Sequence, residues 1–185
     1  MSKQTPSQTV GPYFAYGLTA QQYHYPNSQI ADGTLASEGA AGRIRIVGRV
    51  LDGAGAPIPD AMIEIWQADS AGRYGAPGVS GFGRQGTGTD AEGRFVFDTI
   101  KPGAAAGCAP FVTLVVFMRG LLSHVYTRLY FSDEPAANAA DRTLATVPPE
   151  RRNTLIARRD EAEPSALYRF DIHMQGEDET VFFDL

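Results

Sequence analysis

The sequence predicts an all-β protein, a β-sandwich of about seven to eight mostly antiparallel strands. Short runs of apolar or alternating side chains recur along the chain, and clusters of glycine, proline and aspartate separate these runs. No linker or internal repeat divides residues 43–185, so this range is expected to form one domain. Residues 1–42 show no sustained period, and we expect them to form an extended N-terminal arm that contacts a partner.

Three strands are predicted in the first half of the domain. Residues 43–51 alternate polar and apolar side chains, which is typical of a strand with one buried face. Residues 62–66 and 94–97 are short, mostly apolar segments that follow turn-forming sequences, and each is expected to form a strand. Residues 75–88 hold six glycines in fourteen positions, a composition typical of a flexible surface loop.

The second half of the domain is predicted to hold the remaining strands and one helix. Strands are expected at residues 111–118, 125–131, 167–172 and 180–183. The first of these is apolar on both faces, so a loop layer or a second chain should cover the face that is turned away from the core. One short helix is expected near residues 149–159, because proline and glutamate stand in its first turn and arginines in its last.

The composition argues against several partners and compartments. The 21 acidic residues outnumber the 16 basic ones without a block of like charge, whereas a chain that binds nucleic acid needs a basic surface. The longest apolar stretch is too short to span a membrane, and the first residues lack the apolar run of a signal peptide. The single cysteine, Cys108, has no charged neighbour, so we expect an inert thiol in a cytoplasmic protein.

A series of motifs between residues 48 and 131 gives a more specific indication. In this order and over this length they resemble the core of the intradiol ring-cleaving dioxygenases, which implies a β-sandwich and iron-dependent cleavage of an aromatic ring. Residues 5–13 and 168–183 resemble the branch of that family whose members are heteromers of α and β chains, and the length and tail favour an α chain. The core motifs are Gly-Arg-Val (48–50), Glu-Ile-Trp-Gln-Ala-Asp (64–69), Gly-Arg-Tyr (72–74), Thr-Asp-Ala-Glu-Gly-Arg-Phe (89–95), Lys-Pro-Gly (101–103) and Tyr-Thr-Arg-Leu-Tyr-Phe (126–131).

The resemblance also implies which chain holds the metal. Members of the family that bind iron use two tyrosines and two histidines, a set of donors that suits Fe³⁺. Tyr74 stands at the first tyrosine position, whereas Ala105, Phe111 and Thr113 stand at the other three. These three side chains cannot replace the missing ligands, so the resemblance implies that a partner β chain holds Fe³⁺ and that this chain binds none. Tyr74 is then expected to be an ordinary buried tyrosine with a hydrogen-bonded hydroxyl group.

Four residues are implied to contact the substrate in the partner's active site. In this branch an arginine at the place of Arg119 lines the substrate cavity, and a planar guanidinium suits the carboxylate of protocatechuate, a catechol that carries one carboxylate. The alternative for Arg119 is a solvated charge at the end of a strand. Gly11, Pro12 and Tyr13 are implied to approach the same cavity through close backbone contact, a stiff arm and an aromatic wall, respectively.

Three functions remain open from the sequence. The first is a metal-free subunit, inactive alone, that helps a β chain convert protocatechuate and O₂ to 3-carboxy-cis,cis-muconate. The second is a non-enzymatic β-sandwich module that binds a small molecule. The third is a metalloenzyme with rearranged ligands drawn from His24, His124 and His173, although no pair of these has the spacing of a local metal site. The arm and the tail favour the first function, because they resemble the α chains beyond the shared core.

Overall fold

The computed structural model describes residues 10–11, 13–25, 31–75, 81–105, 107–163 and 166–184. Within this part of the chain there are nine strands, three short α-helices and two 3₁₀ helices. The strands are β1 (Arg43–Leu51), β2 (Met62–Gln67), β3 (Phe82–Gly86), β4 (Arg94–Ile100), β5 (Phe111–Phe117), β6 (Val125–Phe131), β7 (Ile156–Asp160), β8 (Leu167–Arg169) and β9 (Ile172–His173). The helices are α1 (Phe14–Leu18), α2 (Pro135–Ala140) and α3 (Arg142–Thr146), with 3₁₀ helices at Ala20–Tyr23 and Pro149–Leu155.

The strands form one continuous path in the order β3-β2-β5-β6-β7-β8-β1-β4, with β9 beside β1. Most neighbours are antiparallel, while β6 with β7, β1 with β8 and β1 with β9 are parallel. Side chains of β2, β5 and β6 pack against those of β1, β4 and β8 in one apolar core, as in a sandwich. The predicted all-β fold class is therefore confirmed, with nine strands where seven to eight were expected.

The two ends of the strand path are joined by the segment that precedes β1. The amide of Arg84 in β3 donates to the carbonyl of Asp32 (2.9 Å), and the amide of Asp98 in β4 donates to the carbonyl of Gly33 (2.8 Å). A Cβ atom at Gly33 would lie 2.5 Å from the carbonyl oxygen of Val96, so only glycine fits between the edge strands. This segment covers backbone groups that an edge strand otherwise leaves open.

Strand β5 lies where the sequence predicts, and its two faces have different surroundings. Val112, Leu114 and Val116 are fully buried in the core, and the opposite side chains of Thr113 and Val115 are half-buried. Strands β1, β2, β4 and β6 also lie where the sequence places them.

Other elements differ from the predictions. The predicted helix at residues 149–159 is a 3₁₀ helix that ends at Leu155, because Ile156 and Ala157 pair with the end of β6 as strand β7. The glycine-rich range 75–88 contains strand β3, and residues 180–183 form only a single bridge, from Phe183 to Tyr126. Helices α2 and α3 were not predicted. No helix in the described ranges is long and apolar enough to cross a membrane.

Candidate functional site

The face of β3, β2, β5 and β6 that points away from the core is called the outer face here. Strand register places Trp66, Thr113 and Arg128 in one row across this face. The neighbouring row contains Val115 and Tyr126. The side chains of both rows are exposed or half-buried, with Trp66 44% exposed. The outer face is therefore a partly apolar surface that the described residues leave open.

The N-terminal arm covers one end of the outer face. The ring of Phe14 in α1 lies 5.9 Å from the ring of Phe117 in β5. The side chain of Gln22 donates to the carbonyl of Gly86 (3.0 Å) and accepts from its amide (2.7 Å). The described arm residues thus pack on their own sheet, and contact with a partner remains a prediction.

Arg119 lies two residues beyond the end of β5 and is ion-paired. Its Nε contacts the carboxylate of Asp60, which belongs to the turn before β2, while its side chain stays 66% exposed. The N-terminal arm lies near the same turn. The pKa of Tyr23 in the arm is raised by burial first, then by Tyr16 and by the negative charge of Asp60. Arg119 is therefore a charge at a strand end that is ion-paired through Nε and remains largely exposed.

The structure brings Tyr13 and Arg119 to the same end of the outer face. Tyr13 is 82% exposed and directly precedes Phe14, whose ring packs on Phe117, two residues before Arg119. A Cβ atom at Gly11 would meet nothing within 4 Å, so this glycine makes no close backbone approach to the described residues of its own chain. Pro12 lies outside the described residues.

Tyr74 is not the buried tyrosine that the sequence predicts. Its side chain is 42% exposed, and its ring stacks on Trp66 with 6.0 Å between ring centroids and an angle of 20°. The reason lies in the preceding turn, where the Asp69 carboxylate accepts from the amides of Ala71 and Arg73, each at 2.9 Å. This turn carries Tyr74 onto the outside of the sheet. Partial burial raises the pKa of the Tyr74 hydroxyl, and the nearby Arg128 opposes that shift.

The other three positions that the resemblance assigns to metal ligands do not suit Fe³⁺. Ala105 and Phe111 are buried, and Thr113 offers a neutral hydroxyl. The guanidinium carbon of Arg128 lies 4.3 Å from the centre of the Phe111 ring, so a positive charge already occupies this region. A methyl group, a phenyl ring and a hydroxyl group do not replace phenolate and imidazole donors, and a guanidinium repels a cation.

The histidines do not form an alternative metal site in the described ranges. His124 Nε2 is 2.9 Å from the hydroxyl oxygen of Tyr126, and His24 and His173 lie in the arm and in β9. No group of three or more histidine, cysteine, aspartate or glutamate side chains in those ranges has the geometry of a metal site. The structure therefore gives no support to a metalloenzyme with rearranged ligands.

Asp60, Trp66 and Arg128 are the site residues that sequence reasoning missed. Asp60 pairs with Arg119 over 59 positions of sequence, and no local motif announces such a contact. Trp66 and Arg128 belong to the motifs that carry the family resemblance, but the resemblance assigned neither of them a role. The strand register places Trp66 and Arg128 in the same lateral row, and the sequence alone does not give that register.

Comparisons with known proteins agree with this fold and site. The model of a family described as dioxygenase matches residues 10–176. The protocatechuate 3,4-dioxygenase alpha chain of Burkholderia cepacia is 55% identical over 99% of this chain and 98% of its own length. The alpha chain of Pseudomonas putida is 43% identical over 98% and 96%, respectively. The dioxygenase domain of a carbohydrate-binding fusion protein from Streptomyces sp. SirexAA-E has a TM-score of 0.65 at 27% identity and covers 97% of this chain and 100% of that domain.

The family match covers most of the chain, and both alpha-chain relatives align over nearly their full length. The resemblance in the core motifs, the arm and the tail is thus confirmed at the level of whole sequences. The chain belongs to the intradiol dioxygenase family and, within it, to the alpha chains of protocatechuate 3,4-dioxygenase.

Proposed function

We propose that this chain is the metal-free subunit of a cytoplasmic heteromer whose β chain holds Fe³⁺ and cleaves protocatechuate with O₂ to 3-carboxy-cis,cis-muconate. The bound iron supplies the oxygen chemistry in the β chain, and this chain contributes the wall that binds and orients the substrate. The misfit of Ala105, Phe111 and Thr113 as ligands supports the assignment of the metal to the partner.

The observation that carries the proposal is the side chain of Arg119, which is ion-paired and still largely exposed. Asp60 engages Nε while the side chain stays 66% exposed, and we assign the two terminal nitrogens to the substrate carboxylate. A carboxylate that reaches these nitrogens makes charge-assisted hydrogen bonds with a fixed direction. Tyr13, exposed at the same end of the outer face, supplies an apolar wall with a polar tip. We assign Gly11 and Pro12 to the same wall on the family resemblance alone.

The outer face gives the β chain a surface to bind. Trp66 is exposed, Val115 and Tyr126 are half-buried, and the arm covers only the end near Phe117. Aromatic side chains of this kind are enriched in the buried centres of protein interfaces. The proposal thus places both the substrate-contacting residues and the partner on the same side of the sandwich.

Co-expression with the β chain tests this proposal. We expect the two chains to copurify with iron and with activity on protocatechuate, whereas this chain expressed alone should be colourless and free of iron. A phenolate-to-Fe³⁺ absorption band with near-stoichiometric iron in the isolated chain would refute the metal-free assignment. A soluble chain without affinity for the β chain would instead favour the non-enzymatic binding module.

A further inference from the structure

A cavity of about 460 Å³ lies beside the paired strands β7 and β8, on the side of the sandwich opposite the outer face. Ala157 and Tyr168 belong to the core, so the alternate residues Arg158 and Arg169 point away from it. Both arginines line the cavity, and none of the described residues that line it belongs to the outer face. Its lining also includes Asn153, Asp171, His173 and Asp178.

The two arginines have one carboxylate between them. Arg158 and Arg169 are directly opposite each other in the antiparallel pair, an arrangement of like charges that is unfavourable. Asp160, two residues along β7, binds Arg169, whose Nε and Nη2 donate to Asp160 Oδ2 at 2.9 and 2.8 Å. The Oδ1 atom of Asp160 accepts from the amide of Ala162 (3.1 Å). The guanidinium of Arg158 is therefore left without an ion pair or hydrogen bond in the described part of the chain.

The other carboxylates at the cavity do not neutralise Arg158. Asp171 is bound by Arg49, whose Nη2 donates to Oδ2 at 2.6 Å and whose backbone amide donates to Oδ1 at 2.9 Å. Asp178 lines the cavity but forms no ion pair with the residues that the structure describes. In an adjacent cavity of about 240 Å³, by contrast, Arg49 and Arg94 are both ion-paired. Arg158 is thus a cation that no bound carboxylate compensates.

Hydrogen bonds fix the walls of this cavity. The Thr180 hydroxyl accepts from the amide of His173 (3.0 Å), and the amide of Thr180 donates to the carbonyl of His173 (2.9 Å). The Thr154 hydroxyl, near the end of the second 3₁₀ helix, accepts from the amide of Val181 (3.2 Å). The imidazole of His173 and the side-chain amide of Asn153 make no hydrogen bond within the described ranges, so both are available to a ligand.

We propose that this cavity binds a small oxyanion, a carboxylate or a phosphate group, on the guanidinium of Arg158. A planar guanidinium donates two parallel hydrogen bonds to such a group and supplies the opposite charge. The side-chain amide of Asn153 and a ring N–H of His173 offer further donors at the same cavity. Arg169 is already held by Asp160 and is not needed for the contact. The proposal uses no residue of the substrate wall, so it stands whether or not the proposed function is correct.

Asp178 gives the proposal a test of sign. Its carboxylate belongs to an exposed residue of the same cavity, so it repels a bound oxyanion through a screened interaction. Removal of the Asp178 charge should therefore strengthen oxyanion binding, whereas removal of the Arg158 charge should weaken it. A general disturbance of the cavity would weaken binding in both variants.

The test uses the full chain, in complex with its β chain where the two copurify, and measures the binding of inorganic phosphate and of succinate by calorimetry. We expect saturable binding that weakens about 10-fold or more in Arg158→Gln and strengthens about 2- to 5-fold in Asp178→Asn. Arg142→Gln is the matched control, because Arg142 is an exposed arginine outside the cavity that makes no ion pair in the described ranges. The probe that binds more tightly identifies the group, and equal affinities assign the site to oxyanions in general. A crystal soaked with selenate should show the selenium signal beside Arg158.

Four results would overturn the proposal. Neither probe binds in a saturable way at millimolar concentration, or Arg158→Gln leaves the affinity unchanged. Weaker binding in Asp178→Asn would mean that the cavity takes a cation or a zwitterion, and a partner side chain seated on Arg158 in a crystal of the heteromer would make it an interface residue. Arg158 and Asp178 are both exposed, so equal urea midpoints are expected for the variants and the unmodified chain. If Arg158→Gln does not fold, the change of affinity in Asp178→Asn decides.

Discussion

Replacement of Arg119 by alanine is the most direct test of how this chain contributes to substrate binding. The side chain is 66% exposed and its ion pair with Asp60 is close to the surface, so the loss of that pair should cost no more than about 1 kcal/mol of stability. A charge-assisted hydrogen bond to the substrate carboxylate is worth about 1.5–3 kcal/mol. We therefore expect kcat/KM for protocatechuate to fall roughly 10- to 100-fold while the complex stays folded.

The assay compares two substrates on the purified heteromer. Catechol lacks the carboxylate, so its residual turnover should change far less than that of protocatechuate. The iron content should equal that of the unmodified complex. Arg119→Lys should recover only part of the loss, because a point charge replaces a planar fork. Arg169→Ala is a matched control, since Arg169 is also exposed and ion-paired, to Asp160, but lies on β8 away from the outer face.

Two results would assign Arg119 a different role. If Arg119→Ala lowers turnover of both substrates by the same factor, or releases the β chain, the role of Arg119 is structural. If it changes neither substrate, the exposed guanidinium does not reach the active site of the partner. Either result would remove Arg119 from the substrate wall and leave its pairing with Asp60 as its main contact.

The remaining predictions concern assembly and stability. The isolated chain should aggregate, as judged by light scattering, because Trp66 and its neighbours leave an apolar outer face exposed, and addition of the β chain should restore a defined heteromer. Asp141→Ala should lower the urea unfolding free energy by about 2–4 kcal/mol, since the carboxylate caps α3 and anchors Tyr130, while Glu150→Ala at an exposed site should not. Arg94 lowers the pKa of Asp90 from 3.8 to about 2, so Asp90 stabilises the fold above pH 4 and that contribution is lost between pH 4 and 2. The unfolding free energies of the unmodified chain and Asp90→Asn should differ by roughly 1 kcal/mol near pH 5 and converge below pH 2; a constant difference would contradict this assignment.

Periodicity predicted the central strands because burial there follows a local pattern. In β1, Ile44, Ile46 and Val50 are buried and alternate with more exposed residues, and this alternation of apolar and polar side chains was visible in the sequence. Strand β3 was not predicted because its glycine content is typical of a loop. Tertiary packing requires glycine at position 83, because a Cβ atom there would meet the side chains of Leu35 and Ile65. Such packing is set by distant segments and leaves no local period.

Only the site residues that belong to the family motifs could be predicted from the sequence. The positions of Tyr74, Ala105, Phe111 and Thr113 followed from the resemblance, and their chemistry was clear from residue type alone. The contacts that these residues make could not be predicted. The stacking of Tyr74 on Trp66, the Arg128 guanidinium over Phe111 and the pairing of Asp60 with Arg119 all join separate strands or turns. These contacts depend on strand register, which a single sequence does not reveal.

The seam that Asp32 and Gly33 make between β3 and β4 has a consequence for how the heteromer chooses its partner. Because these residues already accept from the amides of Arg84 and Asp98, a related sandwich cannot attach at this seam by lengthening the backbone ladder. The backbone hydrogen bonds between strands are the same in all members of a fold. Attachment through such bonds would therefore not distinguish one homologue from another. Association through side chains does distinguish them, since every position can differ. A closed seam therefore allows two chains of common ancestry to recognise each other in preference to themselves.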